Sequence, residues 1–319
     1  MTDARCDLEA ICRNFYTWDN WIAYDEVAET YHRYLLTAPR TGAPEGRHTR
    51  ARIRLAISSC GTRWRDRGEA LIPGPPGSPD DVAVWTGTTV IREHRRDVLY
   101  TGVSQGSRLW QSICLATATG GGPLDKRPSP VLTARDELGY DTGDDDGVVM
   151  AWRDPHVARE PATGDWHMVF ACKRASKAPR GAVGHAVATG DSLEHWELCG
   201  PLELPERFSQ VEVPSLVFAG GAVYCFVSTK DRDRDEAAAS GSAWRVYAAP
   251  SVAGPWERAA DGPLAGPSDA VYGARPFHGP RELGAVAFYA PEHPRAFTPT
   301  PIAPLSLSPR PALDLGAWL

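Results

Sequence analysis

Three stretches of this chain share one outline. "IRLAISSCGTRWRDRGEALIPGP" begins at Ile53, "GHAVATGDSLEHWELCGPLELPE" at Gly184 and "WRVYAAPSVAGPWERAADGPLAGP" at Trp244. Each is a short β-type run ending in small residues, then a turn, a tryptophan (Trp64, Trp196, Trp256), a charged residue, glycine and an apolar-proline end. "SICLATATGGGPLDKRPSPVL", from Ser112, repeats the outline without the tryptophan. Trp196 and Trp256 lie 60 residues apart, and Trp64 and Trp196 lie 132 apart, which leaves room for one intervening copy. A second register alternates with the first: "DVLYTGVS" from Asp97, "WHMVFACK" from Trp166, "AVYCFVST" from Ala222 and "GAVAFYAP" from Gly284. A unit recurring at this interval cannot bury its apolar faces alone and has to stack on its neighbours. The pattern therefore predicts an all-β closed array, a five-bladed β-propeller, with about five units in the length. A large β-sandwich is the competing architecture.

Composition agrees. Glycine (30) and proline (28) are spread along all 319 residues, punctuating helices and favouring short strands joined by turns. We expect one domain over 1–319, because no linker is long enough for a boundary. "EGRHTRARI" (45–53) and "KDRDRDEAAASGSA" (230–243) read as charged, solvated loops, the second with room for a helical turn. The proline-rich tail, about 299–319, reads as an extended strap. Net charge is −6, which does not suggest a nucleic-acid or acidic-membrane partner. No window approaches the roughly 18 apolar residues of a spanning helix. The first residues lack the basic and apolar regions of a secretory signal. Seven cysteines without a C-x-x-C pair sit mostly in apolar runs, as small hydrophobes do. A reduced, cytoplasmic protein is the expectation.

Four short motifs carry chemistry. In "FYTWDNWIAYDE" (15–26), Asp19 lies between Trp18 and Trp21, as in sites where rings face sugar C–H groups and a carboxylate takes the hydroxyls; an N-terminal cap burying both tryptophans reads equally well. "VWTGTTV" places Trp85 before a β-branched strand, in a core or against a ligand. In "WRDP", Arg153 favours the ionised form of Asp154 and Pro155 fixes the local backbone. A surface ion pair is the bland alternative, but Asp154 follows an apolar run, where an unpaired charge is costly to bury. In "FSQVEVPSLVF", from Phe208, Glu212 lies in an apolar strand that favours its neutral form and suits a general acid, unless it points to water. "DTGDDDG" (141–147) does not keep calcium-loop register and reads as a solvated acidic loop. The histidines are scattered, so no metal and no cofactor are expected.

Taken in order, Trp-Asp-x-Trp, Trp-[Ser/Thr]-Gly, Arg-Asp-Pro and Glu-x-Pro resemble the five-bladed β-propeller glycosidases of the levansucrase and invertase clan, with arabinanase-like propellers as distant relatives. The resemblance runs from Trp18 to about Tyr272. It implies Asp19 as nucleophile, Asp154 as the carboxylate that stabilises the transition state, and Glu212 as general acid/base. It implies substrate-binding roles for Trp18, Trp21, Trp85, Arg153 and Gln210, and for Tyr272 and Arg275 in "VYGARPF" (271–277). The implied partner is a small β-fructofuranosyl substrate. Val213 departs from the pattern, since levansucrases usually carry arginine after the acid/base glutamate and invertases a cysteine. Two other functions use the same pocket: a lyase or dehydratase acting on a ketohexofuranosyl metabolite such as a sugar nucleoside, and a non-catalytic sugar-binding propeller.

Overall fold

The computed structural model describes residues 7–105, 109–142, 151–175, 180–230, 242–266, 269–291, 293–308 and 310–318. The acidic run 143–147, residues 148–150 before the Ala151–Trp152 pair, and 231–241 of the second charged segment lie outside them.

A short helix, α1 (Asp7–Asn14), precedes five antiparallel sheets, each built from one contiguous stretch. Blade I holds β1 (Phe15–Asp25), β2 (Thr30–Pro39), β3 (Arg52–Ser58) and β4 (Arg65–Leu71). Blade II holds β5 (Ala83–Arg92), β6 (Arg95–Ser104), β7 (Trp110–Thr119) and β8 (Asp125–Lys126), with β9 (Leu132–Thr133) also on β7. Blade III holds β10 (Trp152–Arg159), β11 (Trp166–Lys173), β12 (Gly181–Ala188) and β13 (Trp196–Cys199). Blade IV holds β14 (Glu212–Ala219), β15 (Ala222–Lys230), β16 (Ser242–Ala249) and β17 (Glu257–Arg258). Blade V holds β18 (Val271–His278), β19 (Leu283–Tyr289), β20 (Ala303–Ser306) and β21 (Ala312–Leu313). The fold is the five-bladed β-propeller, not a sandwich.

The repeated tryptophan frame is the outer half of a blade, and the second register is the second strand of blades II to V. Two of the tryptophans are pinned by their own turns: the Trp196 indole donates to the Leu193 carbonyl (2.9 Å) and the Trp256 indole to that of Val252 (3.2 Å). Second strands face a neighbouring blade on both sides. Every residue of β11 is accordingly buried, and "WHMVFACK" reads as a continuous apolar run. The outer strand β4 alternates between exposed and half-buried positions, as a strand with one wet face should.

The tail is not a strap. It supplies β20 and β21, the outer strands of blade V, and buries Trp318, whose indole donates to the Pro301 carbonyl (3.0 Å). Among the described residues, no helix is long and apolar enough to cross a membrane.

Among the described residues no strand is exchanged between blades V and I, and the ring is closed by a backbone hydrogen bond from the Thr17 N–H to the Phe297 carbonyl (3.1 Å) together with side chains. The Thr17 hydroxyl donates to the Phe297 carbonyl (2.7 Å), and the Asn20 amide donates to that of Ala287 (2.9 Å). Asn20 Oδ1 accepts twice from Arg33 (3.0 and 2.7 Å), which also donates to the Thr300 carbonyl (2.7 Å). Asn20 and Arg33 are both buried. Asn20→Leu removes that acceptor from a buried guanidinium and the donor from a buried carbonyl. We expect a loss of about 3 kcal/mol or more in urea unfolding, with the m-value unchanged. A loss below about 1 kcal/mol would show that the closure does not depend on this pair.

Candidate active site

All five innermost strands carry an irregularity at one level. The register slips by a residue between Thr17 and Asn20, Trp85 and Gly87, Arg153 and His156, Glu212 and Ser215, and Tyr272 and Arg275. Each slip is a β-bulge, which bends the strand and re-aims its side chains. Asp19, Thr86 and Asp154 lie within their bulges, and Glu212 and Tyr272 immediately before theirs. Asp154 (φ 59°), Val213 (φ 51°) and Gly273 (φ 64°) adopt left-handed backbone. At Gly273 a side chain is excluded twice over, because a Cβ would come within 2.8 Å of Asp19 Oδ1. Pro155 and Pro214 follow the other two, at bulge positions where a missing N–H disturbs the ladder least.

The bulges bring three carboxylates from three blades into one network. Asp19 Oδ2 accepts from the Thr86 hydroxyl (2.5 Å), while Oδ1 packs on Gly273. Asp154, 3 % exposed, accepts at Oδ2 from the Val213 N–H (3.2 Å), and Arg153 Nε lies 3.6 Å from the same oxygen. Glu212 accepts from Arg153 Nη2 at Oε1 (3.1 Å) and from the Tyr272 hydroxyl at Oε2. Tyr272 adjoins Gly273, so the residue holding Glu212 is the neighbour of the one beneath Asp19.

Burial dominates the electrostatics. Asp19 is pushed up to about 7 by burial first, then by the charges of Asp154 and Glu212, against the Thr86 hydrogen bond and Arg275. Asp154 is also raised by burial; Arg153 pulls it down, Glu212 raises it further, and Arg275 and the Val213 N–H pull down. The sequence argument expected Arg153 to decide the ionisation of Asp154. Its pull is present, but desolvation outweighs it, because Asp154 lies inside the ring rather than at its surface. Tyr272 is raised far above the ordinary phenol range by burial and Glu212, which keeps it protonated as a donor. Burial opposes the charge of Arg153, yet Asp154 and Glu212 hold it above its ordinary value.

Not every candidate reaches the pocket. Arg275 is 1 % exposed, and its guanidinium donates to three carbonyls, Gly87 (2.8 Å), Pro155 (3.2 Å) and Asp154 (3.1 Å). It clamps blades II and III to V under the site. Trp21, 3 % exposed, stacks on Tyr34 with centroids 5.3 Å apart and donates to Thr89 (3.0 Å), which makes it core between blades I and II. The one-residue bulge separates it in facing from Asp19. Gln210 accepts from Arg153 Nη2 (3.4 Å) and so supports that arginine. Trp18 is buried beneath the β2–β3 connection, and Trp85 is half-buried with its indole donating to the His48 carbonyl (2.7 Å).

That connection, expected as a charged, solvated loop, is ordered as a 3₁₀ turn over Pro44–Arg50 with no residue of the turn buried, and Arg52 and Ile53 already belong to β3. His48 lies edge-on to Trp18 and Trp85 (6.0 Å each), and the Arg47 guanidinium lies over the rings of Trp18 (5.5 Å) and Phe297 (4.9 Å). Arg47 also feels the charges of Asp19 and Glu212. Residue spacing in "PEGRHTR" does not reveal this, because the contacts are made to rings remote in the chain. Thr86, inside the quoted "VWTGTTV", is the other residue the motif reading passed over.

Residues 23–248 match the glycosyl hydrolases family 32 N-terminal domain. Asp154 and Glu212 lie inside the match, and Asp19 and Tyr272 outside it. A search of curated proteins finds no match. Among solved structures, the inulosucrase of Halalkalicoccus jeotgali bound to kestose superposes with a TM-score of 0.77 at 20% identity, over 94% of this chain and 88% of that one. The levansucrase of Gluconacetobacter diazotrophicus gives 0.76 at 16% identity, over 98% and 83%. That of Bacillus subtilis gives 0.73 at 12% identity, over 95% and 87%. At these identities the structures share the fold. The domain match covers well over half of the residues, and by it the chain belongs to glycosyl hydrolase family 32.

Proposed function

We propose that this glycoside hydrolase acts on a small β-fructofuranosyl substrate by a double-displacement mechanism. Asp19 attacks the anomeric carbon. Glu212 protonates the departing oxygen, then takes a proton from water or from an acceptor sugar. Asp154, held rigidly by two arginines and the Val213 amide, binds ring hydroxyls and stabilises the oxocarbenium-like transition state. The observation that carries this reading is the convergence of the three carboxylates, from blades I, III and IV, on one hydrogen-bonded network at the level of the bulges. The fold neighbours, an inulosucrase and a levansucrase, support the fructosyl part.

Val213 is 1 % exposed, so this position contributes its backbone N–H to Asp154 rather than a side chain to the pocket. Donor preference then rests on other walls, including the Arg47–His48 turn. A cytoplasmic setting belongs to the same proposal; the described free cysteines, Cys12, Cys60, Cys114, Cys172, Cys199 and Cys225, accord with it.

The test is incubation with sucrose and a panel of β-fructofuranosides, following released ketose and the anomer first formed by NMR. Release with retained configuration is the expected result. Inversion would remove the nucleophile role from Asp19. A product lighter by one water would favour elimination, a reading to which neither the family match nor the fold neighbours lend support. Binding without turnover across the panel would point to a sugar-binding propeller.

A further inference from the structure

We infer that Thr101, a core residue of β6 outside the pocket, is the positioning residue that sets Asp154 relative to Asp19 by joining the bulges of blades II and III through one hydroxyl. Thr101 is 0 % exposed. Its Oγ1 donates to the Thr86 carbonyl (3.0 Å) and accepts from the Asp154 N–H (2.9 Å). The direction of both bonds is forced, since a carbonyl can only accept and an amide N–H can only donate. The Thr86 side chain in turn donates to Asp19 Oδ2 (2.5 Å). A single path therefore runs from Asp19 through Thr86 and Thr101 to Asp154, across blades I, II and III.

The path matters because Asp154 occupies left-handed backbone (φ 59°), which a non-glycine residue holds only when its surroundings over-determine it. The register slip between Arg153 and His156 takes the Asp154 amide out of the regular pairing with β11. Thr101 supplies the acceptor that the bulge removes, while Arg275 holds the carbonyl of the same residue. With the peptide units on both sides of its Cα held, the backbone of Asp154 cannot turn, and the carboxylate keeps its aim at the Val213 N–H. Remove the hydroxyl, and a buried N–H is left unpaired on a backbone that gains by relaxing.

The inference deepens the proposed function and rests on it for its kinetic readout, so the experiment has a second readout that does not. Thr101→Val keeps the shape and loses both hydrogen bonds; Thr101→Ser keeps both. On a fructoside turned over by the wild-type protein, Thr101→Val should lower kcat about 10- to 100-fold, with KM within about threefold, and Thr101→Ser should stay within about threefold of wild type. Hydrogen exchange resolved to the Asp154 amide should be slow in the wild type and Thr101→Ser, and fast in Thr101→Val. A Val variant with wild-type kcat, or a Ser variant as impaired as Val, overturns the inference. So does fast exchange at Asp154 in the wild-type protein, even should Thr101→Val fail to fold. If the wild type turns over no fructoside, the functional reading falls and exchange alone decides the role of Thr101.

Discussion

Asp19→Asn is expected to reduce kcat by about 10⁴-fold, because an amide cannot form the covalent glycosyl intermediate that the proposed mechanism requires. Substrate binding should survive, since Thr86 can still donate to the amide oxygen of the new side chain. The pH profile of the wild type should carry the mark of the same residue. With Asp19 raised to about 7, kcat/KM should fall on the acid side near pH 7 rather than near pH 4. Stability should move the other way. The folded protein binds the Asp19 proton more tightly than the unfolded chain between pH 3.8 and about 7. The stabilising contribution is therefore complete below pH 3.8 and is lost as the pH rises through 7. At pH 8 the ionised carboxylate destabilises the fold by up to about 4 kcal/mol, at about 1.4 kcal/mol per pH unit of displacement. Asp19→Asn should thus be the more stable protein at pH 8, with the difference shrinking towards pH 4. Turnover within tenfold of wild type would remove Asp19 from the mechanism. Lower stability than wild type at pH 8 would show that its charge is not strained.

Glu212→Gln is expected to lower kcat by about 10³-fold on substrates with a poorly departing alcohol, and far less where the leaving group needs no proton. The glutamine oxygen can still accept from Arg153, so the arrangement around Asp154 persists while the transferable proton is gone. Added azide, which needs no general base, should restore part of the turnover with an activated donor. An equal loss on both classes of substrate would assign Glu212 to binding rather than proton transfer. The Tyr272 hydroxyl, held protonated by burial and by Glu212, is the group that fixes the acid's second oxygen. Glu212→Gln should accordingly leave KM within a few-fold of wild type.

Sequence motifs and structure differ at several points, and the differences share one cause. "WDNW" placed two tryptophans beside Asp19 as equals. A one-residue bulge between Thr17 and Asn20 breaks the alternation, so Trp21 packs on Tyr34 in the core. Arg275 follows Tyr272 in a segment that returns to the site, which suggests a substrate ligand. Its Nη atoms instead donate to three carbonyls of blades II and III. The charge of Arg153 suggested a readily ionised Asp154, and burial reverses that balance. "EGRHTRARI" reads as a solvated loop, and its 3₁₀ part has no buried residue, yet Arg47 and His48 reach the rings of Trp18 and Trp85.

What the residue order determined alone is the repeating blade and the number of blades, because strand, turn and tryptophan frame are patterns of near neighbours. Bulge level, the tie through Thr101, the clamp by Arg275 and the raised pKa values of the buried acids belong to the tertiary structure. Each depends on groups 50 to 190 positions apart meeting at one axis, as Thr101 meets Asp154 across 53 positions and Arg275 meets Gly87 across 188. Hydrogen-bond geometry and desolvation act only at contact distance, and contact between blades exists only once the ring has closed.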